Sequence, residues 1–192
     1  MSNILAFSGS ARDGSFNQQL VSIAARGAQA AGSDVTVINL KDYPMPIFCQ
    51  DLEKQHGMPE NAAKFKQLLT EHQGFLIASP EYNSGYTALL KNALDWASRA
   101  TTPDEVPLSA FKNKFVTIMS ASPGALGGMR GLMALRMLLA NMQMTVTPNQ
   151  LAIGQAFSAF SQGRLSDGIK HDQARDLGAE LHNLLEKIHP KD

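Results

Sequence analysis

The chain has 192 residues, of which 44% are hydrophobic and 18% charged, and its 17 basic side chains balance its 17 acidic ones. That hydrophobicity without net charge excludes a disordered chain, and the missing basic excess argues against nucleic acid as a partner. One cysteine, Cys49, excludes an internal disulfide and a cysteine-based zinc site. In chain order, Asn3–Ser8 reads as a buried strand and Ser15–Ala31 as an amphipathic helix with Leu20, Ile23, Ala24 and Gly27 near one face. Asp34–Leu40 is a second strand. Lys41 to Glu60, with Pro44, Pro46 and Pro59, is an ordered excursion, and Pro59–His72 is a helix. Gly74–Ser79 is a third strand, Thr87–Arg99 a helix, Phe115–Ala121 a strand and Gly128–Met142 a helix. Met144–Ile153 is a last strand interrupted by Pro148, Ala174–Ile188 a closing helix, and Lys191-Asp192 a fraying tail.

Strands alternating with helices imply βαβ units and one doubly wound parallel sheet with helices on both faces, so residues 1–192 are expected to form a single domain. Pattern alone leaves the strand order open. Ligands of such sheets bind at the loops beyond the strands' carboxyl ends. No run reaches the roughly 20 apolar residues of a membrane helix. Met1–Ser10 lacks the basic start of a signal peptide, so a cytoplasmic protein with no membrane partner is expected.

The loop after the first strand, Ser8-Gly9-Ser10-Ala11-Arg12-Asp13-Gly14-Ser15-Phe16-Asn17, runs into a helix start. Unpaired N–H groups and the positive end of the helix dipole favour an anion there. Ser10, Ser15 and Asn17 add donors, and Arg12 adds a planar charged fork. Ser15 with Gln18 also reads as a capping box, which needs no ligand. The spacing is neither Gly-x-Gly-x-x-Gly nor Walker A.

Beyond the third strand, Ser79-Pro80-Glu81-Tyr82-Asn83-Ser84-Gly85-Tyr86 offers a stiff loop with an aromatic surface. Asn83 taken alone is a local turn residue. Glu81 beside a helix start is an electrostatic partner rather than an acid. Beyond the fourth strand, Ser122-Pro123-Gly124 and Gly127-Gly128 allow close backbone approach to a ligand.

Together these loops resemble the NADPH-dependent FMN reductase family. The first matches its Gly-Ser-x-Arg-x-x-Ser-x-Asn pattern at Gly9, Ser10, Arg12, Ser15 and Asn17, and the second its Pro-Glu-Tyr-Asn at Pro80 to Asn83. Leu90-Lys91-Asn92-Ala93-Leu94-Asp95-Trp96 resembles its Leu-Lys-Asn-x-x-Asp-Trp helix. Gly124, Gly127, Gly128 and Arg130 resemble its glycine turn, and Tyr43-Pro44-Met45-Pro46 followed by Asp51 also looks familial. The resemblance spans Ile4 to about Ile153. It implies a flavodoxin-like α/β three-layer sandwich, with a five-stranded parallel sheet of order 2-1-3-4-5 and non-covalent FMN. It implies a cofactor site of Ser10, Arg12, Ser15, Phe16, Asn17, Pro80, Glu81, Tyr82, Asn83, Ser122, Pro123, Gly124 and Gly127. The first loop would hold the phosphate, Pro80–Asn83 would lie against the isoalloxazine, and Ser122–Gly124 would cover the remaining edge. It further implies NADPH or NADH as co-substrate, a small acceptor (quinone, azo compound, chromate-type oxyanion or free flavin) and a homodimer or homotetramer.

Such chemistry belongs to the cofactor, so no catalytic acid, base or nucleophile and no metal is expected. The five histidines lack metal-ligand spacing and read as surface or structural. Cys49 reads as a semi-buried hydrophobe. Met129, Met133, Met137, Met142 and Met144 read as core or subunit packing, with a pliable substrate wall as the alternative. The apolar helix containing Leu90 reads as buried, with a subunit interface among its expected neighbours. A flavodoxin-type carrier or a non-catalytic flavin module is the competing reading. Zero net charge argues against a carrier that docks basic partners.

Overall fold

A computed structural model describes residues 1–189; the expected fraying of Lys191-Asp192 lies outside them. β1 (Asn3–Ser8) pairs in parallel with β2 (Asp34–Val37) on one side and β3 (Gly74–Ala78) on the other. β3 pairs with β4 (Phe115–Ala121), and the order β2-β1-β3-β4-β5 matches the expectation. The last position of the sheet is split. β5 (Thr145–Val146) lies beside Phe115–Val116 and β6 (Leu151–Ile153) beside Met119–Ala121, so the sheet has six strands rather than five. Pro148 has no N–H to give a ladder, and the chain leaves the sheet around it.

Alternate side chains of each strand enter opposite cores. Leu5, Phe7, Phe75, Ile77, Val116 and Ile118 meet α3 (Glu60–Glu71), α4 (Ala88–Ala97) and α5 (Met129–Asn141). Ile4, Ala6, Leu76, Ala78 and Met119 meet α1 (Phe16–Ala31) and α7 (Gly168–Ile188). Two glycines set the α1–α7 approach. A Cβ at Gly27 would overlap the Arg175 carbonyl, and one at Gly178 the Ala24 carbonyl.

Several boundaries differ from expectation. β2 stops at Val37 rather than Leu40, because Asn39 turns the chain by accepting from Lys41 N–H into a 3₁₀ turn at Leu40–Asp42. The proline excursion carries α2 (Gln50–His56). After β6 come α6 (Ala156–Ala159) and a hairpin of β7 (Phe160–Ser161) and β8 (Arg164–Leu165). These pieces are too short for a periodic signal. α7 starts at Gly168 rather than Ala174, capped by Asp167 accepting from Lys170 N–H at 3.2 Å.

The familial helix motif is structural. Asn92 Nδ2 and Trp96 Nε1 both donate to the Pro46 carbonyl, at 2.9 and 2.8 Å, and Asn92 Oδ1 accepts from Phe48 N–H. α4 thereby clamps the proline excursion. The apolar face of that helix, Leu90, Ala93, Leu94, Trp96 and Ala97, is buried within its own chain. Leu90 is fully buried in the α3–α5 core, so this residue cannot itself meet a partner subunit. Cys49 is exposed rather than semi-buried. Met129, Met133 and Met137 are 48, 66 and 65% exposed on one side of α5, so only Met142 and Met144 of that run are core.

The Thr101–Ser109 segment is tied to α3 by the nearly buried Lys66–Glu105 ion pair. Burial pushes the Glu105 carboxyl up. Hydrogen bonds from Lys66, Ser109 and Thr101 outweigh it and draw the pKa down to about 2. A carboxylate held below its unfolded value stabilises above that value, and the contribution is lost as pH falls toward 2. Between pH 5 and pH 3 the protein is expected to lose about 1–2 kcal/mol of unfolding free energy that Glu105→Gln does not lose. Urea unfolding of both at the two pH values checks it, and parallel losses would exclude the pair as the cause.

Candidate functional site

The carboxyl ends of β1, β3 and β4 open onto a cavity of about 270 Å³. Larger cavities exist, but this one stands at the sheet edge where such folds bind ligands. Its lining joins all three expected loops: Ser10, Arg12, Ser15, Phe16 and Asn17 from the first, Pro80, Glu81 and Tyr82 from the second, Ser122 and Pro123 from the third. Asn83, Gly124 and Gly127 are not in the lining.

The first loop is built on hydroxyls. Ser8 Oγ accepts from Ser10 N–H, Ser10 Oγ from Arg12 N–H, and Ser15 Oγ caps α1 by accepting from Gln18 N–H at 3.3 Å. The N–H groups of Phe16 and Asn17 have no acceptor among the described residues. The Arg12 guanidinium lies over the Phe16 ring at 5.2 Å, donates to the Asp13 carbonyl, and has no carboxylate partner among the described residues. Asp13, which would repel an anion, is bound by Lys41 at 2.6 Å, and that bond holds its carboxyl below the usual range. The local field therefore favours a negative ligand at the helix start.

Asn17 has a different task from the donor role expected of it. Its Nδ2 donates to the Ala121 carbonyl at 2.8 Å and its Oδ1 accepts from Ala121 N–H at 2.9 Å. The side chain ties α1 to the start of the third loop. Gly9 is held from the other side, where Thr87 Oγ1 donates to its carbonyl and a Cβ would crowd Leu90 and Thr87.

In the second loop Asn83 and Ser84, at φ 51° and 67°, form the tip of a tight turn closed by Tyr82 and Gly85. Two left-handed central residues suit Asn, which explains the residue without a ligand. Glu81 Oε2 accepts from Gly131 N–H at 2.9 Å, with Arg130 beside Oε1 at 3.5 Å, so it caps the first turn of α5 and fixes the second loop to the third. Gly127, at φ 64°, packs on the end of β6, where a Cβ would meet Ile153 and Gly154 at 2.7 Å. It shapes the turn from beneath. Gly124 is exposed on the outside of that turn.

Sequence reasoning missed Ala121 and Phe157, which complete the lining. Phe157 is 77% exposed and meets Phe16 edge-on, while Phe160 stacks on the other part of Phe16 at 5.4 Å. The usable signal was position: α6 follows β6, at the same edge of the sheet.

Residues 2–158 match the NADPH-dependent FMN reductase family. The chain belongs to that family. An NAD(P)H-dependent FMN reductase of Pseudomonas aeruginosa is 33% identical over 180 residues, covering 91% of this chain and 88% of that one. A quinone reductase of Escherichia coli K12 is 32% identical over 136 residues, 71% of this chain and 68% of the other. Among solved structures, a flavoenzyme NAD(P)H:(acceptor) oxidoreductase of Paracoccus denitrificans superposes with a TM-score of 0.78. It is 22% identical, with 97% and 98% of the two chains covered, and shares the fold. As a family member the chain is an FMN-dependent NAD(P)H oxidoreductase acting on small acceptors. The lining suits FMN: an anion-seeking helix start lies beside a wall of Pro80, Tyr82 and Pro123.

Proposed function

We propose that this FMN reductase carries its flavin in the three-loop cavity and passes reducing equivalents to a quinone-type acceptor. The observation that carries the reading is the juxtaposition of Arg12, which has no carboxylate partner among the described residues, and the free α1 N–H groups with the wall of Pro80, Tyr82 and Pro123. Bound there, FMN would supply the hydride chemistry that links the nicotinamide coenzyme to the acceptor. The chain's residues bind and orient. Ser10, Arg12 and the Phe16 and Asn17 N–H groups hold the phosphate. Pro80, Glu81 and Tyr82 would lie against the isoalloxazine, and Ser122 and Pro123 would cover its remaining edge. Gly124 and Gly127 shape the covering turn, and Asn83 sets the turn that carries Tyr82. Glu81 is engaged by Gly131 N–H and Arg130, which suits it to holding the second loop against α5.

A flat acceptor such as a quinone suits the same aromatic wall, and quinone reductases stand among the relatives. The exposed stripe of Leu126, Met129, Met133 and Met137 supports a homodimer or homotetramer as the working form. No helix among the described residues is long and apolar enough to cross a membrane, and we place the protein in the cytoplasm as one domain.

Anaerobic stopped-flow tests the reading. The yellow holoprotein is expected to bleach with NAD(P)H alone and to recover its colour with 1,4-benzoquinone. Flavin that NAD(P)H does not bleach would favour a carrier or a binding module. Arg12→Ala is expected to weaken FMN binding by about 1.5–3 kcal/mol, the range for a hydrogen bond to a charged group. Fluorescence titration of apoprotein measures it, and unchanged affinity would remove Arg12 from the phosphate site.

A further inference from the structure

A second cavity, of about 500 Å³, lies away from the flavin site and is lined by Arg26, Gln162, Gly163, Arg164, His171 and Arg175. Its three guanidinium groups come from three elements: α1, the β7–β8 hairpin and α7. The close α1–α7 approach at Gly27, against the Arg175 carbonyl, brings the first and third together. The hairpin is fastened over them by Leu165 N–H donating to His171 Nδ1 at 3.4 Å. With Nδ1 accepting, the neutral ring carries its proton on Nε2.

None of the three arginines has a carboxylate within ion-pair range among the described residues, although the chain as a whole is neutral. Burial lowers the pKa of His171, and the charges of Arg164, Arg26 and Arg175 lower it further. Asp172 beside it opposes them. All three arginines are exposed to solvent, so their mutual repulsion is screened, and their side chains are open to an anion that enters the cavity. Planar forks suit the oxygens of a phosphate. Arg26 stands nine residues along α1 from Asn17, about 14 Å at 1.5 Å per residue, and away from the flavin cleft.

We propose that this cavity is a second anion site that takes the phosphate group of a small phosphorylated molecule, held by Arg26, Arg164 and Arg175. Cavity size matches a small metabolite, and the zero net charge of the chain disfavours a nucleic acid.

Calorimetric titration of the flavin-loaded protein with pyrophosphate at low ionic strength tests it. Saturable binding is expected, with affinity at least about 10-fold lower in an Arg26→Gln, Arg175→Gln double variant. Lys112→Gln, a charge change elsewhere, should keep wild-type affinity. Arg164→Gln changes the hairpin alone and should show the same loss even if the double variant folds poorly. Equal affinities in wild type and arginine variants, or no binding beyond that of chloride, would overturn the proposal. Arginine-dependent sedimentation with phosphatidylglycerol vesicles, without pyrophosphate binding, would also overturn it and give the site to a lipid headgroup. A preparation without flavin would count against the reductase reading and leave this titration interpretable.

Discussion

Leu90→Asp is expected to abolish folding rather than to separate subunits. Leu90 is fully buried, and its Cβ lies where a side chain at Gly9 would come to 3.0 Å. The substitution removes a buried leucine and places a carboxylate in the α3–α5 core. The cavity alone costs about 2–5 kcal/mol, and an unpaired buried charge adds to it. That sum rivals the 5–15 kcal/mol by which domains are commonly stable. Soluble yield and circular dichroism check the outcome. A folded variant of lower mass in solution would restore an interface role for Leu90. The exposed Met133 is the position where a charge is expected to change association while leaving the fold intact.

Asn17→Asp is expected to yield a folded but weakened protein that retains little flavin. The substitution deletes the Nδ2 donor to the Ala121 carbonyl and turns a carboxylate oxygen toward that carbonyl at a site 4% exposed. A buried acceptor left unpaired costs about 1–3 kcal/mol. A new negative charge within the first turn of α1 also opposes the phosphate the helix start attracts, although it suits the helix dipole itself. The two effects separate in measurement: thermal unfolding of the apoprotein reads the first, and FMN titration reads the excess. FMN affinity is expected to fall more than 10-fold, or about 1.4 kcal/mol. Asn17→Asp with wild-type FMN affinity would show that the link between α1 and the third loop is irrelevant to the cofactor.

These two sites show where sequence reasoning succeeds and where it stops. The strands were legible because alternate residues serve two cores, as Ile4 and Ala6 against Leu5 and Phe7 show. The anion-seeking character of Ser10, Arg12 and Ser15 was legible because donor type and a helix start lie within a few residues of one another. Asn17 was legible as important but not in its task, because its partner Ala121 lies 104 residues away. Asn92 and Trp96 likewise read as a familial pattern, and only the folded chain shows both donating to the Pro46 carbonyl.

Sequence alone determined the alternation of strands and helices, and with it the sheet edge that carries the site and the chemical kind of each loop. Periodicity and short-range donor patterns are local properties, and they survive in one dimension. Tertiary structure decided the rest: that Leu90 faces its own core, that the last strand divides around Pro148, that Phe157 joins the lining, and that Arg26, Arg164 and Arg175 converge. Each of these depends on which distant segment packs opposite, and in the last case on the close approach that Gly27 and Gly178 permit.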